Sequence, residues 1–416
     1  YLPPIHPIGH THRKGPNNSP VCEPGDPGSP WAIGSEEGGH MAVHSELGEL
    51  ADFEHLVREA RSHGMEIALD YALQCSPDHP WVRKHPDWFR VRRDGSIRHA
   101  ENPPKKYQDI VPLDFWCEDR QSLWKACVEV LLFWAERGVR IFRVDNPHTK
   151  PLAFWEWALG VVQARHPDVI FLSEAFTRPK RMKGLAKLGF TQSYTYFTWK
   201  NTSFELRDYL TELTQSDMAE YFRPNFFANT PDILHDYLQQ GGRPAFRIRL
   251  LLATTLSPSY GIYSGFELCE NQAVRPGSEE YLDSEKYQIK VRDWDAPGHI
   301  KADIRLLNHL RRDHPALQKL ENLVFLDSTN EHVLGYWKSA SLDDLLVAIN
   351  LDPFGPQEAM LRVPLDLLEL PPERPYRVRD LLSGEVYLWR GEWNYVRLDP
   401  SERAGHLFEV IRQEAP

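Results

Sequence analysis

Along the first two thirds of the chain, short apolar runs alternate with longer segments in which apolar residues recur every three to four positions. The short runs are YLPPIHP (1–7), MEIALDYAL (65–73), VRIFRVDNP (139–147), DVIFLSEAF (168–176), FTQSYTYF (190–197), RPNFFANTPD (223–232) and SPSYGIYSGFEL (257–268). Each has the length of a strand. The longer segments, ADFEHLVREARSHG, RQSLWKACVEVLLFWAERG, PLAFWEWALGVVQARH, SFELRDYLTELTQS and GGRPAFRIRLLLATTL, have the period of helices. In the second of them Leu123, Val130, Leu131, Trp134 and Ala135 fall on one helical face, and Gly138 supplies the stop before the next strand.

Strand, helix, strand repetition predicts parallel strands joined by crossover helices, an α/β fold. A (β/α)8 TIM barrel fits best, because polar residues gather where the strands end, the face on which such barrels carry their chemistry. A doubly wound open sheet is the alternative, but no glycine-rich phosphate fingerprint follows any strand. Seven strands are one short of eight, which places the first barrel strand upstream of Tyr1. After about residue 320 the pattern changes to short alternating segments, LVFLDST, HVLGYWK, LLVAINL, AMLRVPL, YRVRDLLSG, EVYLWRG and HLFEVI, with turn signals at 382–384 and 390–391. We therefore expect a catalytic barrel domain over 1–320 and an all-β sandwich over 321–416. The stretch GHTHRKGPNNSPVCEPGDPGSPWAIG, rich in Gly, Pro, Asn and Ser, reads as a long loop, and loops of that length tend to bind.

Composition narrows the class. With 416 residues, 41% of them hydrophobic and 26% charged, the chain can bury a large core. A formal net charge of −11 argues against a nucleic-acid partner. No apolar stretch reaches the ~18 residues of a membrane span, so no membrane partner is expected. The five cysteines (Cys22, Cys75, Cys117, Cys127, Cys269) are odd in number and lack CxxC spacing, which points to reduced thiols in a cytoplasm and no zinc site. The chain opens on Tyr1 inside an apolar run, which suggests a segment before it.

The chemistry starts with RVDNPH at 143–148. Alternation puts Arg143 and Asp145 on one face of their strand and Phe142 and Val144 on the other. A structural ion pair at a strand end is the plain explanation of any one such pair. Two further acids stand at comparable places, Glu174 in FLSEAF and Asp232 in NTPD. Strands of one barrel bring their ends to one face, and clustered carboxylates in a cleft are costly unless used.

On these segments the chain resembles the α-amylase superfamily, glycoside hydrolase family 13: LDYALQCSPDHPW is similar to its region I, FRVDNPH to region II, FLSEAF to region III and FFANTPD to region IV. Within it, YLPPIHPIG, HRKGPNN, ENPPKKYQDI, DNPHTKP, SEAFTRP and YGIYSGFELCE resemble the GlgE group, maltosyltransferases that extend α-1,4-glucans from maltose 1-phosphate. The resemblance implies a retaining double displacement with Asp145 as nucleophile, Glu174 as acid and base and Asp232 as transition-state stabiliser. It implies that Arg143 keeps Asp145 ionised and oriented. It places Lys14, Gln74, Asn102, Tyr107 and Asn146 on the phosphate, and counts Lys286 and Tyr287 with Arg143 among the substrate-binding residues. One cation with several neutral donors suits a dianion. The partners implied are the maltose 1-phosphate donor and an α-glucan or maltooligosaccharide acceptor, with a homodimer formed through an upstream domain.

The chain departs from the wider superfamily in two places. Gln74-Cys75 stands where amylases commonly carry Asn-His, and Thr230-Pro231-Asp232 where they carry His-Asp. The lost histidines weigh against simple amylase activity, and the lost asparagine against the calcium site of many amylases. No metal or other cofactor is therefore expected. Trp81, Trp88, Tyr194, Tyr196 and Trp199 are candidates for stacking on sugar rings, whereas Trp134, Trp155 and Trp157 are assigned to the core or the barrel exterior. Two rival readings keep the same acids: an α-glucan hydrolase or glucanotransferase, and a noncatalytic barrel fragment.

Overall fold

The apolar run at 65–73 becomes strand β1 (Ala68–Tyr71) in the computed structural model, which describes residues 1–412 apart from Pro103, Pro104 and Leu342, with only the backbone of Asn102. Two units emerge, Tyr1–Tyr194 with Asp283–Val291, and Thr195–Leu282 with Arg292–Pro416.

In the first unit, β1 is followed by four short strands outside the main sheet. β2 (Gln74–Cys75) pairs antiparallel with β5 (Val111–Pro112), and β3 (Ala100–Asn102) with β4 (Lys105–Tyr107). The main sheet then continues with β6 (Ile141–Asp145), β7 (Ile170–Glu174) and β8 (Gln192–Tyr194), in the order β1-β6-β7-β8 and parallel throughout. The opening segment adds one parallel bridge, Leu2 to Leu69. Helices α1 (Leu50–Ser62), α2 (Pro80–Lys84), α3 (Arg120–Glu136), α4 (Leu152–Arg165) and α5 (Pro179–Lys187) lie before and between these strands.

α3 shows why the sequence pattern worked. Leu123, Val130, Leu131, Trp134 and Ala135 are all buried in it, each large side chain contributing ~1.5–3 kcal/mol. The helix ends where Gly138 takes φ 96°, a conformation costly for any residue with a Cβ, and Val139 N–H returns to Trp134 O at 3.1 Å. The next residues run straight into β6, so this stop sets where Arg143 and Asp145 stand. Both faces of β6 are buried, as expected of a parallel strand covered by helices.

The second unit contains the parallel pair β9 (Pro224–Phe227) and β10 (Tyr260–Gly261), with helices α6 (Ser203–Gln215), α7 (Met218–Tyr221), α8 (Asp236–Leu256) and α9 (Lys301–Asp313). α8 bends at Gly242 (φ 52°), next to Pro244, and the stretch after the bend is the predicted helix. From Leu323 the chain is antiparallel: β11 (Leu323–Leu326), β12 (Val333–Ala340), β13 (Asp343–Asn350), β14 (Gln357–Arg362), β15 (Pro375–Asp380), β16 (Val386–Arg390), β17 (Trp393–Leu398) and β18 (Gly405–Ile411). They form a six-stranded sheet, β11-β12-β13-β18-β15-β16, and a two-stranded sheet, β14-β17, around a core that includes Leu346, Leu361, Val378, Val396 and Phe408.

Several elements were not expected: α2, α7 and the short strands β2–β5, α5 with Gly184 in its middle, α9, which buries only Leu307, and β17, which begins two residues after β16 in a stretch the pattern left unread. The run at 1–7, expected as a strand, forms only the Leu2–Leu69 bridge. No helix among the described residues is long and apolar enough to cross a membrane.

Candidate active site

β6 and β7 are hydrogen-bonded neighbours in parallel register, with Asp145 opposite Glu174 at their carboxyl ends. Asp70 on β1 lies opposite Arg143. Period-two alternation turns all four side chains to one side of the sheet, where Arg143 joins the three carboxyls. Its Nη1 donates to Asp70 Oδ2 at 2.8 Å and to Asp145 Oδ1 at 2.9 Å, and its Nη2 meets Glu174 Oε1 at 2.7 Å. All four residues are buried, Arg143 to 2% exposure. Burial works against the guanidinium's charge, but Asp70, Glu174, Tyr1 and Asp145 outweigh it and hold Arg143 well above its ordinary value. Burial also raises Asp70, with Asp145 adding to it and Arg143 opposing.

A second ring of groups supports this cluster. Tyr1 donates its hydroxyl to Asp70 Oδ2 at 2.5 Å, and the rings of Tyr1 and Tyr194 each lie 5.9 Å from the Arg143 guanidinium carbon. Burial raises the phenols of both. After Asp145 the backbone turns through Asn146 in the left-handed region (φ 43°, ψ 51°), a conformation asparagine tolerates better than most residues. This aims Asn146 N–H at Glu174 Oε2, 3.1 Å away, while Asn146 Nδ2 lies 3.4 Å from Asp145 Oδ2. Lys150, also buried, donates to the carbonyls of Asp145 and Asn146, both at 3.3 Å. Burial lowers its ammonium, opposed by Asp145, Glu174, Cys127 and Asp70. Burial and the charges of Lys150 and Arg181 take His148 down to about 4.

The other expected residues fall into separate places. Lys14, in the long N-terminal loop, is buried with Nζ on Gln108 Oε1 and 3.4 Å from Lys106 O, so it sits against the segment that follows β3. Burial lowers it, with Asp109 opposing, and burial lifts Asp109 to about 6. Tyr107 is half-buried at the end of β4, and Gln74 half-buried on β2. Asn102 lies on β3 with its side chain outside the described residues, as are Pro103 and Pro104 of ENPPKKYQ. Lys286 and Tyr287 are buried neighbours in the first unit, Lys286 Nζ lying 5.7 Å from the Tyr287 ring centre. Asp232 belongs to the second unit, half-buried in the turn after β9, where its N–H donates to Thr230 Oγ1 at 3.2 Å. Of the proposed stacking residues, Trp88 is buried against His85 (centroids 4.0 Å apart), and Trp199 donates its indole N–H to Glu279 at 2.8 Å.

A metal-like grouping also appears. Donor atoms of His40, Cys75 and His79, all buried, lie within 4.8 Å of one another. Their imidazoles are committed elsewhere. Trp81 N–H donates to His79 Nδ1 at 3.0 Å, which leaves the proton on Nε2, 3.0 Å from His40 Nδ1. His40 then donates from Nε2 to Ala72 O at 2.9 Å. All four ring nitrogens are satisfied in the neutral state, so a cation would have to break this relay. The grouping reads as structural.

The cluster brings together Asp145, Glu174, Arg143 and Asn146, which the sequence singled out, with Asp70, Tyr1 and Lys150, which it did not. Asp70 had a signal: an acid inside the apolar run IALDYAL must be paired if that run is buried. Chemically, the site offers two carboxyls at neighbouring strand ends, joined by one guanidinium and supplied with an extra backbone donor. Both carboxyls lie within hydrogen-bonding reach of one guanidinium, Asp145 Oδ1 2.9 Å from Nη1 and Glu174 Oε1 2.7 Å from Nη2.

Comparison with known proteins agrees with this picture. Residues 325–410 match the family described as GLGE, C-terminal. The chain is 57% identical over 418 residues to the alpha-1,4-glucan:maltose-1-phosphate maltosyltransferase of Cereibacter sphaeroides, covering 100% of this chain and 62% of that protein. It is 57% identical over 412 residues to that of Rhodospirillum rubrum, covering 99% and 60%. The chain thus spans about three fifths of the length of these curated relatives. Among solved structures, the maltogenic alpha-amylase AmyB of Thermotoga neapolitana superposes with a TM-score of 0.70 at 18% identity, covering 99% of this chain and 90% of that one. The alpha-amylase of Geobacillus thermoleovorans gives 0.71 at 16% identity, covering 98% and 87%. The fold is that of the α-amylases, an α/β TIM barrel with C-terminal antiparallel sheets.

Proposed function

We propose, from the premise that this chain is a homologue of the GlgE-type maltosyltransferases of the α-amylase superfamily, that it is the catalytic portion of such an enzyme. In this reading it moves maltosyl units from α-maltose 1-phosphate to the non-reducing end of an α-1,4-glucan. The observation that carries the reading is the Asp145–Arg143–Glu174 arrangement on adjacent strand ends, in a chain matched along its whole length by maltosyltransferases.

Asp145 attacks the anomeric carbon as the bond to phosphate breaks, and Glu174 delivers a proton to the departing phosphate oxygen. Glu174 then takes the proton of the acceptor 4-hydroxyl, which attacks the same carbon and releases Asp145. Two inversions give net retention. Arg143, charged throughout, pairs with both acids, and Asn146 N–H keeps a fixed donor on Glu174. We assign transition-state stabilisation to Asp232, sugar binding to Lys286 and Tyr287, and phosphate binding to Lys14, Gln74, Asn102, Tyr107 and Asn146. Burial of Lys14 among Lys106, Gln108 and Asp109 supports its assignment, since a desolvated ammonium attracts a dianion more strongly than a solvated one.

Residues 1–320 are read as the catalytic domain and 321–416 as the β-sandwich domain. Five free cysteines support a reducing, cytoplasmic setting. A homodimer formed through a segment upstream of Tyr1 completes the reading.

The test is release of inorganic phosphate from maltose 1-phosphate with and without a maltooligosaccharide. Acceptor-dependent release that disappears in Asp145→Ala is the expected result. Starch cleavage without phosphate release would favour the hydrolase that the amylase-like fold also allows.

A further inference from the structure

A lysine is seldom buried without a task, because its ammonium loses hydration that only well-placed acceptors or anions replace. Lys150 is 7% exposed and follows the short 3-10 turn Pro147–Thr149 that leads from β6 into α4. Its Nζ lies 3.3 Å from the carbonyl oxygen of Asp145 and 3.3 Å from that of Asn146. Two successive carbonyls do not point the same way in an extended strand. Here they converge on one ammonium because Asn146 adopts φ 43° and ψ 51°. The same backbone turn presents Asn146 N–H to Glu174 Oε2 at 3.1 Å. One cation therefore holds the kink that ends the strand of the nucleophile and aims a donor at the acid–base.

We propose that Lys150 is a positioning residue for glycosyl transfer, clamping the Asp145–Asn146 turn from beneath and supplying a second fixed cation beside the two acids. The inference rests on the reading of Asp145 as nucleophile and Glu174 as acid–base. Lys150 touches backbone oxygens and no reacting atom, so it acts through those two residues.

The electrostatics agree with the geometry. The groups that interact electrostatically with the ammonium are Asp145, Glu174 and Asp70 from the three strands, Cys127 from α3 and His148 from the turn. The three carboxyls favour its charged form, and by reciprocity its charge favours theirs. His148, held neutral between Lys150 and Arg181, adds no charge of its own near neutral pH. Arg143 alone would leave three carboxyls facing one cation. A neutral donor could hold one of the carbonyls but would not supply the charge. The clamp has its own supports: Arg181 Nη2 donates to Lys150 O at 2.9 Å, and Trp155 Nε1 donates to Pro147 O at 2.8 Å.

The experiment compares the unaltered protein with Lys150→Met, Lys150→Gln and Lys150→Arg, following phosphate release from maltose 1-phosphate across pH. In Lys150→Met, kcat should fall roughly 100-fold, the scale expected when reacting groups shift by about 1 Å, while KM for the donor stays within about twofold. The acid limb of kcat/KM should move to higher pH in Lys150→Met and Lys150→Gln, because both lose the cation that favours ionised carboxyls. In Lys150→Arg the limb should stay at its original position. An unmoved limb with unchanged kcat in a folded Lys150→Met would overturn the proposal. So would failure of both neutral variants to fold, which would make Lys150 a residue of the fold alone. Absence of phosphate release by the unaltered protein would remove the reaction itself and the role of Lys150 with it, whereas release by the unaltered protein with an unmoved limb removes only the role of Lys150.

Discussion

Arg143 answers to three carboxyls at once, and that arrangement explains why a buried strand carries a cation. A buried charge with one poor partner destabilises a fold; with several good ones it is tolerated and orients whatever it touches. Asp70 is the member of this group furthest from the proposed chemistry, so its replacement separates orientation from reaction. Asp70→Asn keeps the size of the side chain and an acceptor for Tyr1 but removes one of Arg143's counter-charges. We expect stability to fall by ~1–3 kcal/mol, read by thermal unfolding. Because burial lifts Asp70 to about 7, it carries little charge on the acid side, so the acid limb of kcat/KM should stay in place in Asp70→Asn, unlike the shift in Lys150→Met. Asp145, Glu174 and Arg143 were legible in the sequence because strand alternation and strand-end position are local properties. Asp70 became a partner of Arg143 only through the register of β1 against β6, and Tyr1 a partner of Asp70 only where the opening segment bridges β1 at Leu69.

Between residue and fold, the His6, His40 and His79 imidazoles join the N-terminal loop to the segment that follows β1. His40 bridges Ala72 and His79, while His6 lies 5.8 Å from His40 between ring centroids and bonds to Ala42 O at 3.0 Å. Gly34 and Gly39 make room for the ring of His79; a Cβ built on either would come within 2.3 Å of it. Burial, and for His6 also the neighbouring His40, depresses His6 to about 3, and burial depresses His40 to about 4, both from an ordinary 6.5. The folded values lie below the unfolded ones, so the unfolded chain takes up protons that the folded chain refuses. The stability these groups contribute is complete above about pH 6.5 and is lost as pH falls toward about 4 and then 3. Melting temperature should therefore drop between pH 7 and pH 4.5, and drop less in His6→Gln; equal slopes would count against the neutral relay. The sequence offered no sign of this relay, since its histidines stand 34 to 73 positions apart and meet only in three dimensions, and each histidine read singly is unremarkable as a core residue.

At the scale of the molecule, the break in sequence pattern near residue 320 is not a break in packing. α8 and the antiparallel sheets share the second unit. Thr255 on α8 shares a buried hydrogen bond with Tyr336 on β12, Tyr237 donates to Leu351 O at 2.7 Å, and Arg247 donates to Glu402 O at 2.7 Å. A chain ended at residue 320 would expose the apolar side of α8 and leave these donors without their acceptors. It should lose cooperative unfolding in calorimetry and become prone to aggregation; a soluble product with a sharp melting transition would show that the sheets are dispensable.

Periodicity alone located the strands β1, β6, β7 and β8 and the helices α1, α3, α4 and α6, because the spacing of apolar residues follows the geometry of each element and requires no partner. Strand-end acids and the helix stop at Gly138 are of the same kind. Tertiary structure decided everything that depends on register or on a turn. It chose which carboxyls share Arg143, which carbonyls Lys150 holds, and where α8 is buried. Those outcomes depend on distances between residues far apart in the chain, which local patterns do not encode.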